Sequence, residues 1–166
     1  MQKNTLNLLQ GHGIIFDQHR CHVNELDYEE FESTLTALLK SWEMDNAMYS
    51  VCDLNHKCFL YTCPMLKNLF GSPIQVDWCP SNKNGFYGSI HPCDLAFVLD
   101  TEIMVYEFLH TLPLYEKLNY KLMYEFRLVG AENILYRIIN QLKVLEYNKY
   151  GNSWLLLVKA TWCPEC

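Results

Sequence analysis

Long hydrophobic runs and clusters of basic residues are both missing from this sequence. No stretch approaches the ~18 uninterrupted apolar residues that a membrane-spanning helix needs, and the N-terminus lacks the basic region and apolar run of a secretory signal. The 13 Lys and Arg residues are outnumbered by 19 Asp and Glu, and the resulting net charge of −6 disfavours binding to nucleic-acid phosphates. We therefore expect a cytoplasmic protein that directly contacts neither a membrane nor nucleic acid.

The sequence also lacks a recognisable catalytic frame. Such a frame needs a nucleophile with a base, or paired carboxylates, and we find neither. Eight cysteines could form disulfides in a secreted protein, but without an export signal we expect mostly reduced thiols. Half of them lie in apolar segments, where cysteine behaves as a small hydrophobic residue: Cys52, Cys58, Cys63 and Cys93. We expect a domain that is not an enzyme.

A C-x-x-C pair is the strongest metal-binding candidate. Cys163 and Cys166 could form a structural zinc site closed by residues from the N-terminal part, namely His12, His19, Cys21 or His22. Strong zinc signals show two paired knuckles at regular spacing, whereas here the second set is irregular. We expect no metal site, and a metal-stapled protein-interaction module without signal input remains the alternative.

One compact domain is predicted from the chain length and the pattern of apolar residues. A chain of 166 residues suits a single core better than two. The pattern divides it into an arm at 1–24, an amphipathic helix at 25–46, a folded domain at 47–162 and a tail at 163–166. Apolar runs and alternation predict five strands in the folded domain, at 47–52, 57–62, 122–129, 134–145 and 154–160.

The amphipathic helix carries an apolar stripe at helical spacing, which consists of Phe31, Leu35, Leu38 and Trp42. Such a stripe must be buried, either on the sheet of its own chain or against a second chain. We expect it to form a homodimer interface.

A long helix is predicted to begin at Pro92. Proline suits the first helical position, Asp94 suits the positive end of the helix dipole, and His91 is placed to cap the helix. Apolar residues occupy both sides of this helix, with Leu99 on one side and Phe97 on the other, so we expect both sides to be buried.

The segment Ile90-His91-Pro92-Cys93-Asp94-Leu95 is similar to the I-H-P-D-D-L segment that precedes the long helix of PAS domains. Tyr150-Gly151-Asn152 is similar to the D-x-x-G-N hairpin that closes that fold. Two positions depart from the family pattern, because Cys93 replaces an acidic residue and Asn148 stands near the usual hairpin Asp. The segments around Asp53 to Lys57 and Tyr61 to Pro64 look most like PAS domains placed before a helix-turn-helix in LuxR-type bacterial regulators.

The resemblance covers residues 47–160 and implies an α+β fold with a five-stranded antiparallel sheet. We predict the strand order 2-1-5-4-3, with Trp154 to Val158 in the central strand because that run is almost continuously apolar. The long helix should pack on one face of the sheet.

The resemblance further implies a sensory and dimerisation domain of a bacterial transcription regulator, with a small-molecule pocket between the sheet and the long helix. The pocket would be lined by Phe59, Leu66, Leu99, Ile103, Tyr124, Phe126 and Trp154, all of which suit a filled core equally well. We expect no haem, because His91 fits a capping role and His110 only lies near that helix. We expect no flavin either, since Cys63 to Asn68 does not reproduce the N-C-R-F-L-Q segment of light-sensing relatives.

Overall fold

A computed structural model describes residues 7–12, 35, 47–65, 85–148 and 150–163. The described part of the folded domain contains five strands and two helices: β1 (Met48–Asp53), β2 (Cys58–Thr62), α1 (Pro92–Thr111), α2 (Leu114–Lys117), β3 (Leu122–Val129), β4 (Leu135–Tyr147) and β5 (Ser153–Cys163). Short 3₁₀ turns at Phe86–Ser89 and Ala131–Asn133 precede α1 and connect β3 to β4. Residues 7–12 are helical, and so is Leu35.

The five strands form one antiparallel sheet in the order β2-β1-β5-β4-β3, which confirms the predicted topology. The central strand is β5, which pairs with β1 on one side and β4 on the other. Its near-continuous apolar sequence is typical of a strand that is covered on both faces.

The two faces of the sheet are both buried near its centre. On the face that packs against α1, Cys52 and Leu156 belong to a core that also contains Leu99 of the helix. Val51 and Leu155 alternate with those two residues and therefore point to the opposite face, yet both are buried as well.

The start of α1 is built as the sequence predicts. His91 is the N-cap, and its Nδ1 accepts a hydrogen bond from the backbone N–H of Cys93 at 3.3 Å. Asp94 in the first turn accepts hydrogen bonds from Arg127 of β3, at 2.9 Å from the backbone N and 2.8 Å from Nε. The Arg127 side chain lowers the pKa of the Asp94 carboxyl group through these bonds. This ion pair fixes the beginning of α1 against the edge strand.

The prediction that both sides of α1 are buried is wrong. Phe97, Met104 and Phe108 have 53%, 55% and 45% of their surface exposed, whereas Val98 and Leu99 have 0%. One side of the helix packs on the sheet, and the other remains on the surface. Apolar side chains are common on protein surfaces, so an apolar composition all round a helix does not require burial all round.

None of the helices among the described residues combines the length and apolarity needed to cross a membrane.

Candidate functional site

A buried polar cluster surrounds Glu102 in the middle of α1. The Glu102 Oε1 atom accepts a hydrogen bond from the Tyr124 hydroxyl at 2.6 Å, and Oε2 accepts one from the Tyr87 hydroxyl at 2.8 Å. The Nε2 atom of His12 lies 2.6 Å from Oε2. The Tyr124 hydroxyl also accepts a hydrogen bond from Asn140 Nδ2 at 3.1 Å. Apart from Glu102, whose side chain is 12% exposed, every member of this cluster is buried.

Each member of the Glu102 cluster comes from a different part of the fold. Tyr87 lies in the 3₁₀ turn before α1, and Tyr124 and Asn140 are directly opposite each other in the β3–β4 register. His12 is in the helical segment 7–12, which lies against α1 because a Cβ atom added at Gly11 would be 3.7 Å from Ile103 Cδ1. The cluster therefore joins the N-terminal segment, α1 and the sheet.

Burial, and then the charge of Glu102, raise the pKa values of Tyr87 and Tyr124 well above the usual tyrosine value. Both phenols therefore stay protonated over the physiological pH range. They are permanent hydrogen-bond donors to the Glu102 carboxylate.

This shift predicts a loss of stability at alkaline pH. The folded-state pKa values are raised, so the contribution of both tyrosines is fully present below the unfolded-state pKa near 10 and is lost as the pH rises above it. We expect an absorbance titration at 295 nm to show two phenols that ionise only when the chain unfolds. The double variant Tyr87→Phe/Tyr124→Phe should lack this delayed step, and a wild-type titration without it would contradict the prediction.

Two pockets lie between α1 and the sheet, and Glu102 and Leu142 line both of them. The larger has a volume of about 220 Å³, and the smaller about 50 Å³. The walls of the larger pocket are mostly apolar, and its polar side chains are His12, Glu102, Lys117, Lys121 and Ser153. An apolar pocket with a few convergent polar groups is the usual form of a small-molecule site.

The predicted pocket residues are divided between the pockets and the solid core. Ile103 lines the larger pocket, and Phe59 and Phe126 line the smaller one. Leu99, Tyr124 and Trp154 are not among the described residues that line either pocket: Leu99 packs in the core, Tyr124 belongs to the Glu102 cluster and Trp154 is buried. Leu66 lies outside the described residues.

Sequence reasoning missed most polar residues of the site as pocket or cluster residues, among them His12, Tyr87, Glu102, Lys117 and Asn140. The sequence carried no specific signal for them, because Glu102 is one of several acidic residues in α1, together with Asp94, Asp100 and Glu107. Among the predicted interface residues, Leu35 is 7% exposed within the single chain. Phe31, Leu38 and Trp42 lie outside the described residues.

Four cysteines are free thiols: Cys52, Cys58, Cys63 and Cys93. Burial raises the pKa of Cys52 well above its usual value, and burial also raises the pKa of Cys58. Both thiols are therefore weak nucleophiles at neutral pH. No group of three or more His, Cys, Asp or Glu residues within the described ranges could hold a metal ion. Of the zinc candidates, His12 contacts Glu102, and His19, Cys21, His22 and Cys166 lie outside those ranges.

Comparison with solved structures shows that the fold of this chain is similar to that of PAS domains. The chain is similar to the PAS domain of a protein from Colwellia psychrerythraea, with a TM-score of 0.53 and 15% identity over 78% of this chain and 97% of that one. It is also similar to the N-terminal domain of a diguanylate cyclase with a PAS/PAC sensor from Marinobacter aquaeolei (TM-score 0.50, 14% identity, 70% and 94% covered). A third similar structure is the PAS domain of the fruit-fly ELK potassium channel (TM-score 0.50, 9% identity, 79% and 98% covered).

No protein-family model and no curated protein matches the sequence. Identities this low show the fold alone, and the chain has the fold of PAS domains: a five-stranded antiparallel sheet with flanking helices.

Proposed function

We propose that this chain is a non-catalytic sensory domain that binds a small, largely apolar molecule between α1 and the sheet. One observation carries the proposal: Glu102 lines both pockets and also contacts His12 of the N-terminal segment at 2.6 Å. A molecule in the larger pocket would therefore touch the group that attaches this segment to the domain.

The signal leaves the domain through the N-terminal segment. Leu8 and Leu9 pack against the core, and His12 lines the larger pocket. Occupancy of the larger pocket changes the packing of these residues, because His12 of the N-terminal segment forms part of the pocket wall that the ligand contacts. A ligand can shift this equilibrium only by its difference in affinity for the docked and undocked segment.

Octan-1-ol is a suitable first probe. A cavity of roughly 150 Å³ holds benzene, so a pocket of about 220 Å³ suits a molecule of roughly nine heavy atoms. We expect saturable binding in a ¹H–¹⁵N NMR titration, with shifts at pocket residues such as Ile103 and Leu122 and also at His12. Leu142→Trp, which places a large ring where both pockets meet, should weaken binding by about tenfold or more.

Leu135→Trp is the matched control, because Leu135 lies in β4 like Leu142 but is exposed. It should leave octan-1-ol binding unchanged. Shifts spread over the surface, or equal binding by the two tryptophan variants, would contradict a pocket in this position. Binding without any shift at His12 would contradict the signal route.

We also propose that this sensory domain acts in the cytoplasm as part of a LuxR-type transcription regulator and forms a homodimer. The sequence resemblance supports the assignment to a LuxR-type regulator. The apolar stripe that contains Phe31 and Trp42 supports the homodimer. Leu35 is buried within the single chain, so its replacement tests the core rather than an interface. A chain that sediments as a monomer at high micromolar concentration would rule the dimer out.

A further inference from the structure

Lys117 is a buried cation in the wall of the larger pocket. It is the last residue of α2 and only 7% of its surface is exposed. Its Nζ atom donates a hydrogen bond to the Gly151 carbonyl oxygen at 3.0 Å and lies 5.4 Å from the centre of the Tyr147 ring. The Gly151 backbone has φ +78°, which favours glycine, and a Cβ atom there would lie at an ordinary van der Waals distance of 3.7 Å from Nζ, so the ammonium group lies close against the turn between β4 and β5.

No carboxylate among the described residues forms an ion pair with Lys117, although other cations in this part of the chain have such partners. A lysine ammonium group has three donors, and the Gly151 carbonyl uses one of them. Burial of an ammonium group without an opposite charge is costly, and lysine side chains usually keep the charged end in water. Within the described ranges, the Lys117 ammonium group therefore has no carboxylate partner.

The other residues that line the larger pocket indicate the chemistry of the rest of a bound ligand. Tyr106, Leu109, Leu122, Val144 and Leu156 form an apolar wall, and the exposed Lys121 stands at the rim. The acidic group in the same pocket, Glu102, already contacts three side chains that carry potential donors: His12, Tyr87 and Tyr124. Its negative charge is thus largely satisfied from within the protein.

We propose that the larger pocket takes a small monocarboxylate with an apolar body, whose carboxylate pairs with the Lys117 ammonium group. This inference rests on the proposed sensory function and specifies its ligand class. The volume of about 220 Å³ suits an acid of roughly nine heavy atoms, such as heptanoate. A carboxylate bound here accepts charge-assisted hydrogen bonds from the free Lys117 donors and places its chain along the apolar wall.

Heptanoate and its uncharged analogue heptanamide make a matched pair of probes for calorimetry on the full chain at pH 7. We expect the wild-type protein to bind heptanoate about tenfold or more tightly than heptanamide. Lys117→Met should reduce this ratio to about one, and Lys117→Arg should keep a clear preference for the acid. Lys143→Met, at an exposed position of β4 outside both pocket linings, should change the ratio by no more than about threefold.

Three results would overturn the carboxylate assignment while leaving the pocket intact. These are equal affinities of the wild-type protein for heptanoate and heptanamide, an unchanged ratio in Lys117→Met, and tighter binding of heptylamine than of heptanoate. By contrast, if heptanoate, heptanamide and octan-1-ol all fail to bind, the proposed function itself fails.

A measurement on the wild-type protein covers the case in which Lys117→Met does not fold. The carboxyl signal of [1-¹³C]heptanoate should titrate at a lower pH in the bound state than in free solution, because Lys117 favours the ionised form. A bound acid that titrates at a higher pH than the free acid would overturn the assignment.

Discussion

Leu99→Asp is expected to lower the free energy of unfolding by about 3–5 kcal/mol. Leu99 has 0% of its surface exposed and belongs to the core between α1 and the sheet. An aspartate in this position would bury either an unpaired charge or a protonated carboxyl group that has no hydrogen-bond partner in the apolar core. Denaturant unfolding followed by circular dichroism measures the change.

Phe97→Asp is the matched control, because Phe97 is on the same helix and 53% of its surface is exposed. It should change the free energy of unfolding by about 1 kcal/mol or less. Similar losses in both variants would mean that helix propensity or net charge, rather than burial, sets the effect. An unchanged melting temperature in Leu99→Asp would show that this side of α1 does not face the core.

Glu102→Leu is expected to be comparably damaging, at about 3–5 kcal/mol, although leucine is apolar and similar in size. The substitution removes the shared acceptor of two buried hydroxyl groups and leaves Tyr87, Tyr124 and His12 without their common partner. Denaturant unfolding again gives the measurement. Glu107→Leu, at an exposed position of the same helix, should stay within about 0.5 kcal/mol of the wild type.

The triple variant Glu102→Leu/Tyr87→Phe/Tyr124→Phe tests the cause of that loss. Removing the hydroxyl groups together with their acceptor leaves fewer unsatisfied polar atoms, so much of the lost stability should return. A triple variant that is still less stable than Glu102→Leu would show that the hydroxyl groups stabilise the fold through contacts other than Glu102.

The central position of β5 could be predicted because apolar patterns indicate burial directly, and the rest of the strand order followed from the resemblance to PAS domains. The run from Trp154 to Val158 is almost continuously apolar, and β5 is the central strand, with two strands on each side of it. The pattern around Phe126 in β3 alternates, as expected for a strand with one face towards the core and one towards solvent. His91 and Pro92 marked the start of α1 through local chemistry that needs no distant partner.

The polar part of the site could not be predicted in the same way. A glutamate in a helix normally faces water, as Glu107 does, and the Glu102 side chain is buried because His12, Tyr87 and Tyr124 from three other segments contact it. The burial of Lys117 could not be predicted either, because it depends on the turn at Gly151. The size of the pocket depends on the volume that side chains leave unfilled, so apolar residues such as Ile103 and Leu99 look alike in sequence and differ in the fold.

The central position of β5 has a consequence for the order in which the chain folds. Met48 pairs with Ala160, and the hairpins β1–β2 and β3–β4 enter the same sheet only through β5. As the chain leaves the ribosome, each hairpin can form when its second strand emerges, but the two cannot join until the last strand has been synthesised. Closing so long a loop costs entropy before the long-range contacts repay it, so the nascent domain exposes the β5-facing edge of β1 throughout most of its synthesis, whereas β4 is made shortly before β5.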